Sequence, residues 1–217
     1  MIYRHGRIAK LRKESKLTVG VREHAKKFQG NQKDRAIAIS KEVLSHTLFT
    51  SEATMRKKFH SAHRILTRKE RYNDNVCIDR CNLALGLLNA AGIKSWLARQ
   101  VVFEVKGTNA SWRIHDFVEA VIDDKLHTIS FGRSLDSDYY GLKEGPVERV
   151  IGGGTFLRGI DSSHVGGVKD LETLRRFIKR VNGKSFFQRE KVENSKRIDL
   201  MVKEGLIPKE IRDKLKG

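Results

Sequence analysis

The sequence predicts an α+β fold in which a buried helix packs on an antiparallel sheet and further helices flank the pair. Three observations predict it. Residues 77–91 are apolar around most of a helix's girth, with Leu83, Leu87 and Ala90 beside Ala84, Leu88 and Ala91, and Gly92 stands as a stop. From Trp96 onward the periodicity changes: Trp112, Ile114, Val118, Ala120 and Ile122 fall on one parity, and Arg113, His115, Phe117, Glu119 and Val121 on the other. Turn signals at Lys106-Gly107-Thr108-Asn109 and Asp123-Asp124-Lys125 then divide this stretch into a meander with strands over 96–105, 112–122 and 126–131.

The remaining elements follow in chain order. Residues 1–30 are basic and weakly periodic, a loose arm or short helices. Ile37, Ile39, Val43, Leu44 and Leu48 suit an amphipathic helix from Asp34 to Phe49. Met55, Phe59, Ala62 and Leu66 make one stripe, which predicts a helix from Ser51, its N-cap, to about Arg71. Tyr72-Asn73-Asp74-Asn75 is a turn. Beyond Gly132 the chain reads as loop through Gly152-Gly153-Gly154 to Gly166-Gly167. Helices are expected over 170–181 and 186–204, and Pro208 starts a short last one. This gives a basic helical N-terminal segment (1–49), a core (50–165) and a C-terminal helical extension (166–217).

Composition narrows the class. Of 217 residues, 39% are hydrophobic and 32% charged, which describes a globular chain with a heavily charged surface. No apolar run approaches a membrane span, and the charged N-terminus is followed by no apolar signal region. Two cysteines cannot build a disulfide scaffold, so a reducing cytoplasmic setting is expected and each Cys is judged as a thiol. The net charge is +18, and residues 1–76 carry most of it, with 19 basic and 7 acidic residues. Clusters such as Lys10-Leu11-Arg12-Lys13 and Arg56-Lys57-Lys58 would attract nucleic acid or another polyanion, or serve as a solvated face. Zinc-finger spacing, a P-loop and a dinucleotide fingerprint are missing, and no cofactor or metal is expected.

The chemistry concentrates between Cys77 and Phe131. A thiol at a helix start feels the positive end of the dipole, which favours thiolate. A histidine at hydrogen-bond distance would complete a nucleophile–base pair. Cys81, one turn further, is expected to be core packing beneath the nucleophile. Glu119 is expected to be a cross-strand ion-pair partner, and His127 and His164 surface residues.

The run from Cys77 to Gly92-Ile93, with Leu87-Leu88 inside it, resembles the Cys motif of the transglutaminase-like superfamily. His115-Asp-Phe-Val-Glu119 resembles its His motif, 38 residues on with strands between. The likeness covers about residues 70–132. It implies a papain-like core and amide chemistry through a thioester, on a protein or peptide substrate. Cys77 would be the nucleophile and His115 the base. The oxyanion would rest on the Cys77 N–H and a donor from Asn75 or Tyr72. The family's third member, an Asp, aligns with Ser130, whose hydroxyl could orient the imidazole without adding charge. Asp136 or Asp138 in the following loop is the alternative. A different class of function also stays open: a catalytically degenerate relative whose basic N-terminal third binds polyanions.

Overall fold

A computed structural model describes residues 18–47, 59–67, 77–106, 109–133, 138–151, 155–165, 167–168, 171–181 and 184–216. The order is α1 (Val19–Ala25), α2 (Gln32–His46), α3 (Ala62–Leu66), α4 (Cys77–Ala90), β1 (Ser95–Lys106), β2 (Asn109–Ile122), β3 (Lys125–Arg133), β4 (Asp138–Glu144), α5 (Val147–Ile151), β5 (Thr155–Gly159), α6 (Leu171–Val181), α7 (Lys184–Lys203), a 3₁₀ turn (Lys209–Ile211) and α8 (Arg212–Lys216). The α+β class is as the sequence predicts. None of the described helices is long and apolar enough to cross a membrane.

The five strands form one antiparallel sheet in the order β4-β3-β2-β1-β5. The meander is as expected, while β4 and β5 lie in the stretch read as loop. Both are short, and each is added to a sheet edge that already exists. The β2–β3 hairpin turns on Asp123 (φ 48°) and Asp124 (φ 59°). Ile122 pairs Lys125 across it, the two-residue turn with two left-handed positions that matches strand twist.

Both faces of the sheet are covered. On one face Leu97, Val101, Val118, Ala120, Ile122, Ile129 and Phe131 pack against α4, joined by Val21 and Ala25 of α1, Ala36, Ile39 and Val43 of α2, and Phe177 of α6. On the other, Trp96, Val121 and Leu126 meet Ile198 and Met201 of α7 and the C-terminal Ile211 and Leu215. Ala98 and Phe117 meet Val147 and Phe156 beside them. The helices at either end of the chain thus share cores with the central sheet.

Local signals explain several helix limits. Thr18 accepts from the Val21 N–H and Asn31 from the Asp34 N–H, which caps α1 and α2. Helix α4 ends in a Schellman arrangement: Gly92 (φ 79°) lets the Ile93 N–H reach the Leu88 carbonyl at 2.9 Å. The helix expected from Ser51 to Arg71 is corrected at its centre. Phe59, His60 and Ser61 are not helical, and Ser61 caps the short α3 by accepting from the Arg64 N–H. The cause is tertiary. The His60 N–H donates to Asp79 of α4 at 2.7 Å, and the His60 carbonyl accepts from Asn82 at 3.4 Å. Ser51 and the 72–75 turn lie outside the described residues, as does Gly152-Gly153-Gly154.

Buried polar groups on β1, β2 and β5 hold the layers. Arg99 and Asp116, opposite each other on β1 and β2, form a fully buried two-pronged pair with both contacts at 2.7 Å. Arg99 also donates to the Val165 carbonyl and lies over the Phe177 ring. On the opposite face Glu119 accepts from Trp96 Nε1, from Arg158 Nε and from the Val147 N–H at 2.7, 2.7 and 3.0 Å. The expected ion-pair role of Glu119 holds, in a buried setting. His164 departs from expectation: it is buried, and its Nδ1 accepts from the Ile160 N–H at 3.2 Å.

Two expected outcomes follow. Glu119→Gln leaves Arg158 buried with half its counter-charge, so chemical denaturation should show a loss of about 3–5 kcal/mol. A loss under about 1 kcal/mol would mean that water reaches the pair. A Cβ on Gly159 would lie 2.5 Å from Val165 Cγ2. Gly159→Ala should therefore cost about 1–3 kcal/mol by overpacking, and adding Val165→Ala should recover part of it. No recovery in the double variant would place the cost elsewhere.

Candidate active site

Cys77 is the first residue of α4, and its thiol is partly buried. Its position follows from the wrapping of α4. Ile78, Cys81, Leu85 and Leu88 are buried in the core, and the polar residues of the first turns are tied down separately. Asp79 holds the His60 N–H, and Arg80 Nε donates to Thr47 Oγ1 at 3.1 Å. These ties fix the helix start against the sheet.

The sheet opens at that point. The β2–β3 ladder runs from Ile122–Lys125 only as far as Val118–Ile129. Two residues beyond its end, the N–H of Asp116 donates to the Cys77 sulfur. The nucleophile candidate therefore meets β2 at the residue adjacent to His115.

Strand alternation sets the faces. Asp116 shares the α4 face with Val118, while His115 shares the other with Phe117, whose ring it meets edge-on at 4.5 Å between centroids. Ile129 and Phe131 face α4, so Ser130 lies at a position on the face of His115. Among the described residues no hydrogen bond joins Cys77 to His115, or His115 to Ser130. Ser130 pairs with Gly141 of β4. Asp138 opens β4 opposite Arg133, at the far end of that ladder. Tyr72, Asn75 and Asp136 lie outside the described residues.

The electrostatics differ from the helix-dipole expectation. Burial pushes the Cys77 thiol up to about 12, and the Asp116 carboxylate adds to the effect. The Asp116 N–H, the Arg99 guanidinium and the Ile78 N–H pull the other way without offsetting it. A low-dielectric setting disfavours thiolate more than the helix terminus favours it. Burial likewise lowers the imidazole of His115, against the pull of Asp116. Both groups are thus neutral at neutral pH. Cys81 is buried in the core and its thiol is raised well above the ordinary range.

The sequence reading missed Arg99 and Asp116. Their signal was present: each is a charge within an otherwise apolar strand segment. Neither residue alone identifies the other, because their pairing depends on the β1–β2 register.

No family model matches the chain, and no curated protein does. Two solved structures are similar in part. A candidate protease from Parabacteroides distasonis is 23% identical with a TM-score of 0.39, over 57% of this chain and 26% of that one. A candidate cysteine protease from Cytophaga hutchinsonii is 20% identical with a TM-score of 0.40, over 64% of this chain and 47% of that one. The chain thus matches about a quarter of the first and about half of the second.

The raised thiol has a direct readout. Iodoacetamide labelling of Cys77 should be slow at neutral pH and climb only well above the ordinary thiol midpoint near 8.5. Labelling of the folded wild type with a midpoint near 8.5 contradicts the burial argument.

Proposed function

We propose that this chain is a transglutaminase-like thiol enzyme acting on amides of a protein or peptide, with Cys77 as nucleophile and His115 as base. The observation that carries the reading is the Asp116 N–H on the Cys77 sulfur, which sets the start of a buried helix beside the residue that follows His115. The two sequence motifs support the same pair.

Because both groups are neutral at neutral pH, proton transfer accompanies attack. The Cys77 sulfur bonds to the amide carbonyl carbon as its proton passes to His115. The resulting oxyanion is stabilised by the Cys77 N–H and a donor from Asn75 or Tyr72. Collapse breaks the carbon–nitrogen bond, His115 returns the proton to the departing amine, and a thioester remains on Cys77. Water or a second amine then resolves the thioester, giving hydrolysis or transfer. His115 rests on the face of β2 opposite α4, so the transfer requires the end of β2 at His115, beyond its ladder with β3, to turn toward Cys77. Ser130 is the proposed orienting partner of the imidazole, with Asp136 or Asp138 as the alternative.

A second reading has its own support. The thiol held near 12, Ser130 at the Asp position and the basic residues 1–76 fit a degenerate relative that binds a polyanion.

The deciding assay is release of peptides from casein together with incorporation of a fluorescent primary amine. Activity should vanish in Cys77→Ala and His115→Ala, and survive Cys81→Ala. kcat/KM should rise with pH through a midpoint below the ordinary 6.5 of histidine, because the base works only when deprotonated. Ser130→Asp should raise or preserve the rate, with Asp136→Ala and Asp138→Ala nearly silent. Activity that persists in folded Cys77→Ala eliminates the thiol mechanism. A wild type inert in both assays, yet binding heparin in a salt-sensitive way, selects the second reading.

A further inference from the structure

Outside the candidate active site, α1 and α2 bring three donor side chains to one point. His24 sits in the last turn of α1, and Glu42 and His46 lie four residues apart on one face of α2. The Nε2 atoms of both histidines turn inward onto the same carboxylate oxygen. His24 Nε2 is 2.6 Å and His46 Nε2 3.0 Å from Glu42 Oε1. The imidazoles meet edge-on with centroids 5.7 Å apart. One ligand atom from each residue lies within 4.8 Å of the others.

We propose that His24, Glu42 and His46 form a binding site for a divalent transition ion, with Zn²⁺ as the reference ion, that bridges α1 and α2. Two imidazole nitrogens and one carboxylate oxygen are the donor set that borderline ions prefer, and three protein ligands leave a fourth position for water. Bonds of about 2.1 Å in a tetrahedron place donor atoms roughly 3.4 Å apart. The two spacings to Glu42 Oε1, 2.6 and 3.0 Å, lie just below that value, and all three donor atoms lie within 4.8 Å of one another.

The crowding on Oε1 points the same way. Lys27 Nζ also contacts this oxygen, so three nitrogens converge on one atom that two hydrogen bonds would satisfy. Ion binding lets each imidazole offer a lone pair in place of a proton and sends the Lys27 ammonium outward. Lys27 is 46% exposed on a flexible stem, so its departure is unobstructed. The three ligands are 18–26% exposed, which keeps them reachable yet shielded from bulk water. They are also pre-positioned, since Thr18 and Asn31 cap the two helices and Val21, Ala25, Ile39 and Val43 anchor them in the core.

The experiment titrates Zn²⁺ into the chelator-treated full-length chain by calorimetry and repeats the titration with Co²⁺ by visible absorption. The expected result is one equivalent bound, with d–d bands and no sulfur-to-metal charge transfer. His24→Gln and His46→Gln should each weaken binding at least tenfold, and Lys27→Met should tighten it several-fold. Long-range ¹H–¹⁵N spectra of the wild type give a readout that needs no substitution: the Nε2 resonances of His24 and His46 should shift together on Zn²⁺ addition. Absence of binding, unmoved Nε2 resonances, binding retained in both folded His→Gln variants, weaker binding in Lys27→Met, or a thiolate charge-transfer band would each overturn the site.

Discussion

Strand β2 runs through the middle of a sheet covered on both faces, and it carries a buried carboxylate toward each. Asp116 points into the α4 layer and meets Arg99, and Glu119 points into the opposite layer and meets Arg158. An unpaired charge in either place would be prohibitive, so the layers close only in the arrangement that brings each arginine to its partner. The pairs reach well beyond the sheet. Arg99 takes the Val165 carbonyl, and Arg158 takes Glu148 of α5 and the Leu215 carbonyl near the C-terminus. Loops and terminal helices distant in sequence are thereby referred to one strand. Apolar packing alone is non-directional, whereas these hydrogen bonds specify register.

The candidate active site inherits that constraint. The same Asp116 that neutralises Arg99 gives its N–H to the Cys77 sulfur and sets its carboxylate against the thiolate. The Cys77 thiol and the His115 imidazole are therefore both neutral at rest, near the point where β2 parts from β3. In the proposed mechanism a thiol in this state would rely on a base at the moment of attack. It is also protected from the adventitious oxidation to which exposed thiolates are prone.

The N-terminal helices answer to different physics. Helices α1 and α2 are nearly balanced in charge, and small buried faces anchor them: Val21 and Ala25 on one, Ala36, Ile39, Ser40 and Val43 on the other. Glu42 gathers three nitrogen-bearing side chains where the two helices meet. Its partial burial raises the carboxyl, but contacts from Lys27, His24 and His46 outweigh this and hold it near 2. The carboxylate is thus charged throughout the physiological range and ties α1 to α2.

Periodicity in the sequence was enough to reveal helix α4, its glycine stop and the three-stranded meander, because each is specified locally by burial pattern and turn chemistry. The resemblance to the transglutaminase-like superfamily, rather than periodicity, singled out Cys77, His115 and Ser130, which lie on α4, β2 and β3. Three things needed the tertiary structure. Strands β4 and β5 have little pattern of their own and exist because β3 and β1 offer edges to pair with. The helical stripe of Met55, Phe59, Ala62 and Leu66 is broken at His60 because Asp79 and Asn82 claim its backbone. The thiol at a helix N-terminus, which the dipole alone would acidify, is instead pushed upward, because its ionisation depends on the solvent excluded around it and on Asp116, a residue brought near only by the register of two strands. Local sequence encodes what neighbouring residues do to one another; desolvation and long-range pairing are decided when distant segments meet.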